Sequence, residues 1–367
     1  MWQGLKAFAV AFLTTLIATP LVIRLALKMG WVDKPLPRRI NKYPVPTLGG
    51  LAIFVGFLAA SVLSWPVANF RHLPSLYLSG ALFFLLGAID DIYDLSAKLK
   101  FWVMLGISVL YVLTGPRIQH LTNPSGGTID LGILAIPLSV MWLVGTANLV
   151  NLIDGLDGLA TGTVAITALT CIFLSSQKLD WFILVLNCGL LGACLGFLPY
   201  NFNPAKVFMG DSGALFLGFV VGALAIEGSL KGAATVTLAV PLLALGLPIL
   251  DTIFSIFRRA KTKKPIYQAD GDHLHHRMLH LGLGQKKVVL ILYLVNVLFA
   301  IGAFLVFNVS PEIGFIYTLI VVCVITIKAA RQGVLKVGKK DQDSDSVRDK
   351  TGSNQSSQSY QDAESGS

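Results

Sequence analysis

Runs of about 20 apolar residues, the length a helix needs to cross a bilayer, recur from one end of this chain to the other. Taking each hydrophobic window as one span gives about eleven, at roughly 5–27, 48–65, 75–90, 101–115, 131–147, 158–176, 181–198, 212–228, 233–256, 288–307 and 312–329. Such runs leave few architectures open. Hydrocarbon offers no partner to a backbone N–H or C=O, so segments of this length pair their own backbone as helices. The fold class expected is therefore an all-α polytopic membrane protein. Composition agrees, with 54% hydrophobic and only 13% charged residues against about 25% charged in soluble domains. The first run has only Lys6 ahead of it and outlasts a signal-peptide core, so it reads as a retained span. Cys171, Cys188, Cys194 and Cys323 all fall in apolar spans without metal-type spacing, which makes them packing residues.

Charge placement supplies an orientation. With the N-terminus outside, the inner segments collect Lys28, Lys34, Arg38, Arg39, Lys42, Lys98, Lys100 and Lys206, the basic loop from Arg258 to Lys287, and the C-terminal tail. Of 29 Lys and Arg, only Lys6, Arg71, Arg117, Lys178 and Lys231 then lie outside, with Arg24 near the boundary. Such asymmetry is the positive-inside pattern. The net charge of +9 thus reports topology, and nucleic-acid binding is not expected. The basic inner loops also suit anionic lipid headgroups and anionic substrates. One membrane domain over residues 1–330 is expected, with inner loops at 28–47, 90–100, 147–158, 199–211 and 257–287. Residues 331–367 form a cytoplasmic tail, basic then polar, with no aromatic but Tyr360, a composition expected to be disordered.

Every polar motif falls on that inner side. NLVNLIDGLDGLA carries Asn148, Asn151, Asp154 and Asp157 at a spacing of three, which on a helix would put Asn151 and Asp154 on one face. Two carboxylates and two carboxamides at a bundle mouth make an oxygen-rich pocket suited to a hard divalent cation or a hydroxyl-rich substrate. The plainer reading is a helix-end cap and a turn, which Asx and Gly residues commonly build. IDDIYDL supplies Asp90, Asp91 and Asp94, followed by Lys98 and Lys100; its plainer reading is a charge-paired helix end. Asp90 and Asp94, four apart, are expected to share a face.

Three further loops complete the set. The first has four prolines, a basic cluster and Gly49-Gly50, a pair that permits close backbone approach to a bound group. In PYNFNPAKVFMGDSGA, Asp211 precedes a span and would by itself be an ordinary helix cap. Phe208 there could stack on a base, and Lys206 could meet a phosphate. The last loop reads DGDHLHHRMLHLG, with His273, His275, His276, Arg277 and His280. His276 and His280 have a helical zinc spacing, but no HExxH or cysteine set accompanies them. Magnesium prefers oxygen ligands, so the histidines are assigned to anionic oxygens and the carboxylates to metal. A transporter would hold its polar groups near the midplane on broken, repeat-related helices. Acids at span ends on one side suit an enzyme acting at the inner leaflet.

IDDIYD, NLVNLIDGLDGLATG, KVFMGDSGA and HLHHR, in this order and topology, resemble the polyprenyl-phosphate N-acetylhexosamine-1-phosphate transferase superfamily, glycosyltransferase family 4. The likeness runs through about residues 1–330. It implies transfer of a sugar-1-phosphate from a UDP-amino sugar to a polyprenyl phosphate, with release of UMP. The HxHHR form resembles the bacterial branch that moves GlcNAc-1-phosphate from UDP-GlcNAc to undecaprenyl phosphate, the start of teichoic acid, O-antigen and related glycans. The pentapeptide-sugar branch shows three consecutive histidines where this chain has Leu274 as an interruption.

The resemblance implies magnesium as cofactor, with manganese as a substitute. Asp211 is implied as its ligand and Asn151 as a second. Asp90, Asp91 and Asp154 are implied in catalysis, the first two near the lipid phosphate. Asp157 is implied at uracil with Phe208 stacked on it, Lys100 near the phosphates, and His273, His275, His276 and Arg277 at sugar and pyrophosphate. The setting is the bacterial cytoplasmic membrane, with membrane lipids around the chain, the site on the inner face, and a homodimer compatible with the family. Direct displacement is favoured over an aspartyl-phosphate, though both are chemically open.

Overall fold

A computed structural model describes residues 2–33, 44–64, 72–122, 128–177, 180–229, 246, 249, 277–279 and 281–331. Its elements run α1 (Trp2–Met29), β1 (Val32–Asp33), β2 (Val45–Pro46), α2 (Gly50–Ser64), α3 (Leu73–Tyr93), α4 (Ala97–Thr114), β3 (His120–Thr122) and β4 (Thr128–Asp130). They continue with α5 (Ala135–Ile153), α6 (Leu159–Gln177), α7 (Trp181–Asn201), α8 (Gly210–Ser229), α9 (Gln285–Asn308) and α10 (Pro311–Arg331). The strands form two antiparallel pairs, Val32 opposite Pro46 and Leu121 opposite Ile129.

Among the described residues nine helices are long and apolar enough to cross a membrane. The expected 48–65 span is the exception: α2 has only 15 residues, about 22 Å of helix. All of the 233–256 window but Gly246 and Ile249, together with Asp251 and the 332–367 tail, lies outside the described residues, and the other ten of the eleven windows meet a helix.

Helix ends follow local chemistry. Pro74 sits in the first turn of α3, where its missing N–H costs nothing. Ser96 caps α4 by accepting from the Leu99 amide, and Asp180 caps α7 by accepting from Ile183. Inside the bundle, small residues let backbones approach, the usual substitute for a hydrophobic drive between helices in lipid. The buried face of α1 is Gly4, Ala7, Ala11, Thr15, Thr19, Val22 and Ala26. It lies against α7, where a Cβ on Gly192 or Gly196 would come within 2.3 Å or 2.5 Å of the Phe8 or Phe12 carbonyl. Buried hydroxyls turn back to their own helix, as Thr19 does to the Thr15 carbonyl and Thr167 to Thr163.

The bundle has a centre and a rim. In α8, 89% of the span is buried, whereas α10 buries 17% and lies at the edge. Phe83 stacks on Phe219 with centroids 4.7 Å apart, and Tyr111 meets the same ring edge-on. This packing seats the N-terminus of α8 among the ends of α2, α3, α4 and α5, and there the acidic motifs meet.

Candidate active site

The first turn of α8 is the hub. Its backbone N–H groups have no helical partners, and Asp91 of α3 supplies them: its two carboxylate oxygens accept from the Asp211 amide at 2.8 Å and the Ser212 amide at 3.1 Å. Asp91 is thus a helix cap delivered from another helix, and its negative charge suits that helix end. Asp211 is not the cap that the sequence suggested. It stands inside the first turn and its own side chain points elsewhere.

That side chain meets Lys100. The Lys100 ammonium donates to Asp211 and, at 2.7 Å, to Asp90. Asp90 also accepts from the Leu95 amide at 2.8 Å, which ties the α3–α4 turn to the cluster. Asn151 reaches the same Asp211 oxygen from the end of α5, its amide nitrogen 3.4 Å away. Four helices therefore converge on one carboxylate. Of the two lysines after this turn, Lys100 makes these contacts and Lys98 is exposed. Asp94 is not a partner of Asp90's side chain: it ends α3 in the left-handed conformation and is exposed.

Glycines set these distances. A Cβ on Gly87 of α3 would lie 2.3 Å from the Asp211 carbonyl oxygen, and one on Gly50 would lie 2.2 Å from the Gly213 nitrogen. Gly210 has φ +73°, and a Cβ there would strike the Asp91 carboxylate at 2.5 Å. The close backbone approach that the Gly49-Gly50 pair permits is made here to the protein's own backbone. Gly49 and Gly50 donate to the Phe208 and Met209 carbonyls, while the Phe208 amide donates to Pro46, each at 2.9 Å. The first inner loop thus holds Phe208 and Asp211 from one side.

The 148–160 motif is not one helical face. Helix α5 stops at Ile153, and Asp154 caps it with its amide on the Asn151 carbonyl, so the cap-and-turn reading describes the backbone and the acidic pocket describes the side chains. Asp154 is half-buried at the bundle end. Burial raises its carboxyl well above the ordinary range, and the nearby charges of Asp211, Asp91 and Asp157 add to the effect. Asp157 faces the other way along the turn and accepts from Asn203 at 2.8 Å and the Ala205 amide at 3.1 Å.

The structure therefore gathers Asp90, Asp91, Lys100, Asp211, Asn151 and Asp154 into one cluster, with Asp157 and Phe208 on its flanks. Lys206 is exposed. His273, His275, His276 and His280 lie outside the described residues; Arg277 opens the short described stretch that leads to α9. Gly87, Asn203, Gln285 and Tyr293 also shape the site and went unread in the sequence. The one signal for Gly87 was its place a helical turn before Asp90-Asp91.

Among the described residues no group of three or more His, Cys, Asp or Glu side chains stands ready to hold a metal ion. The residue types nonetheless suit magnesium: Asp211 and Asp154 carry hard carboxylate oxygens close enough to feel each other's charge, and Asn151 carries a carboxamide beside Asp211. The competing charge is the Lys100 ammonium, which bridges Asp90 and Asp211.

Comparison with known proteins adds an independent line. Residues 73–229 match the model of glycosyl transferase family 4, a segment that contains Asp90, Asp91, Lys100, Asn151, Asp154, Asp157, Phe208 and Asp211 but neither the first inner loop nor the histidine–arginine loop. The probable undecaprenyl-phosphate N-acetylglucosaminyl 1-phosphate transferase of Bacillus subtilis is 41% identical over 81% of this chain and 83% of its own length. The decaprenyl-phosphate N-acetylglucosaminephosphotransferase of Mycolicibacterium smegmatis is 35% identical over 80% of this chain and 79% of its own. A phospho-N-acetylmuramoyl-pentapeptide-transferase of Caldicellulosiruptor bescii is 31% identical over 81% of this chain and 95% of its own.

Proposed function

The chain belongs to glycosyl transferase family 4, and on that premise we propose that it transfers GlcNAc-1-phosphate from UDP-GlcNAc to undecaprenyl phosphate, yielding undecaprenyl-pyrophosphate-GlcNAc and UMP. The observation that carries the reading is the cluster of Asp90, Asp91, Lys100 and Asp211 beside the Asn151–Asp157 turn. The relatives named for GlcNAc transfer are its support for the sugar. The positive-inside pattern supports a site on the cytoplasmic face. Teichoic acid or another envelope glycan would consume the product.

An anionic lipid phosphate must approach an anionic pyrophosphate, so catalysis is chiefly charge neutralisation and positioning. Asp211 with Asn151 would hold magnesium, which supplies neutralisation of pyrophosphate charge. Lys100, anchored by Asp90, adds a fixed positive charge at the same point. Asp90 would orient the attacking lipid phosphate or take its residual proton, and little base help is needed because a phosphate's second pKa is near 6. An oxygen of the lipid phosphate attacks the β-phosphorus as the bond to UMP breaks. Asp91 acts by holding the amides of Asp211 and Ser212, which fixes the hub residue. Asp157 and Phe208 would receive the uridine, and His273, His275, His276 and Arg277 the sugar and pyrophosphate.

The second reading is a pentapeptide-sugar transferase, favoured by the Caldicellulosiruptor relative and disfavoured by Leu274 within the histidine run. The test is UMP release by detergent-purified protein given undecaprenyl phosphate, magnesium and either UDP-GlcNAc or UDP-MurNAc-pentapeptide. Lipid-dependent UMP from UDP-GlcNAc, lost by about 10³-fold in Asp211→Ala, is expected. Turnover of the pentapeptide nucleotide alone would replace the substrate and keep the chemistry.

A further inference from the structure

Helix α9 follows the histidine–arginine segment and packs along α6. Three of its residues, Gln285, Tyr293 and Asn296, lie 8 and 3 apart and so share one helical face. Each makes a polar contact at a different depth. Gln285 accepts at 2.7 Å from the Asn203 amide, the same group that donates to Asp157 at 2.8 Å. The Tyr293 hydroxyl donates to the Gly158 carbonyl, at the end of the turn that carries Asp154 and Asp157. Asn296, fully buried, donates at 2.8 Å to Thr163.

The fit around Tyr293 is close. A Cβ on Gly162 would lie 2.1 Å from both Cζ and the hydroxyl oxygen, so only glycine leaves room for the ring at that point on α6. Gly158 has φ +80° and is packed under Phe202, so its carbonyl direction is fixed by a residue that few side chains could replace. The hydroxyl thus fastens the last residue of the turn, and Gln285 fastens the loop that clasps Asp157.

We propose that Tyr293 and Gln285 are positioning residues that brace the Asp154–Gly158 turn and the 203–205 loop against α9. The brace acts on the nucleotide half of the site, a statement that rests on the function proposed above. Asp90 and Lys100 stand on α3 and α4, whereas among the described elements α9 packs chiefly on α6 and α10. The brace also links the turn mechanically to the segment beginning at Arg277, so the two sides of the bound UDP-sugar would be held by one helix. Nothing in the amino-acid pattern of α9 advertised this, because a tyrosine and a glutamine on a membrane helix are ordinary in isolation.

Tyr293→Phe keeps the ring in the Gly162 notch and removes only the hydroxyl. In undecaprenyl-phosphate-dependent UMP release, it is expected to raise the KM for UDP-GlcNAc about 3- to 10-fold, the range one lost positioning hydrogen bond gives. The KM for undecaprenyl phosphate and the thermal midpoint of the unliganded protein should stay within about twofold and a few degrees. Gln285→Ala should move the same constant, and Gln285→Ala with Asn203→Ala should cost less than the two effects combined, since the Gln285–Asn203 contact is lost in both single variants. Equal KM values in wild type and Tyr293→Phe would overturn the brace. So would a rise in both KM values together with a fall in midpoint, the mark of a general packing role. Wild-type protein inactive with every UDP-amino sugar would instead remove the functional reading on which the brace depends.

Discussion

The two halves of the site are built by opposite means. Around Asp211, α2 and α3 meet α8 through backbone contacts so close that Gly50 and Gly87 allow no side chain, and both carboxylate oxygens of Asp90 and of Asp91 have a defined donor. Around Asp154 and Asp157, a turn is held by side chains from a loop and from α9. The first half is a rigid charge cluster; the second is a clasped loop. Electrostatic catalysis demands the former, because fixed charges need no reorganisation as the reaction proceeds. A bound nucleotide is better served by the latter, which can be adjusted by its braces.

The sharpest way to break this contrast is to remove the charge at its centre. Lys100→Met keeps much of the side chain's length and leaves Asp90 and Asp211 without their shared cation. A loss of about 10²-fold or more in UMP release is expected, as for deletion of a preorganised charge-stabilising donor. Lys98→Met, two residues away and exposed, should stay within about twofold. Similar losses in both variants would mean that general basicity, and not the bridge, is what the loop contributes.

A smaller effect should come from space alone. Gly87→Ala places a methyl group 2.3 Å from the Asp211 carbonyl, so α3 and α8 must move apart. Overpacking of this kind costs typically about 1–3 kcal/mol, and a shift of the hub residue should slow turnover about tenfold or more. Gly106, whose Cβ would meet nothing within 4 Å, is the control, and Gly106→Ala should be neutral in both assays. Unchanged activity in Gly87→Ala would show that the helices separate without carrying Asp211 along.

Much of this was legible in the sequence, and the failures have physical causes. The spans could be read because hydrocarbon allows only helices of a set length. The motifs could be read because acids at span ends are expensive and so rarely incidental. Partnership could not. That Asp91 caps α8 depends on how two helices separated by more than a hundred residues cross, and a spacing rule sees only one helix. The same blindness placed Asn151 and Asp154 on one face, although α5 ends between them. It also could not show that Gly49 and Gly50 pair with the Phe208 and Met209 carbonyls across the chain. Tyr293 and Gln285 were invisible for the same reason.

The mildest prediction tests whether the second half stores a cost of its own. Burial and the charges of Asp211, Asp91 and Asp157 raise the Asp154 carboxyl above its value in an unfolded chain, which is about 3.9. Between those two values the folded protein holds a proton that the unfolded chain has released, so folding is penalised progressively as pH rises through that window. Below about pH 4 both states are protonated and the penalty vanishes; above the folded value it is constant. Asp154→Asn keeps the shape and removes the charge. The variant should therefore melt at higher temperature than wild type in detergent, with a gap wider at pH 8 than at pH 5, while UMP release falls. A carboxylate kept at a cost to the fold is kept for what it binds, and added magnesium should narrow the gap by stabilising wild type more than the variant. A gap that shrinks with rising pH would reverse the sign and assign Asp154 to holding the fold together.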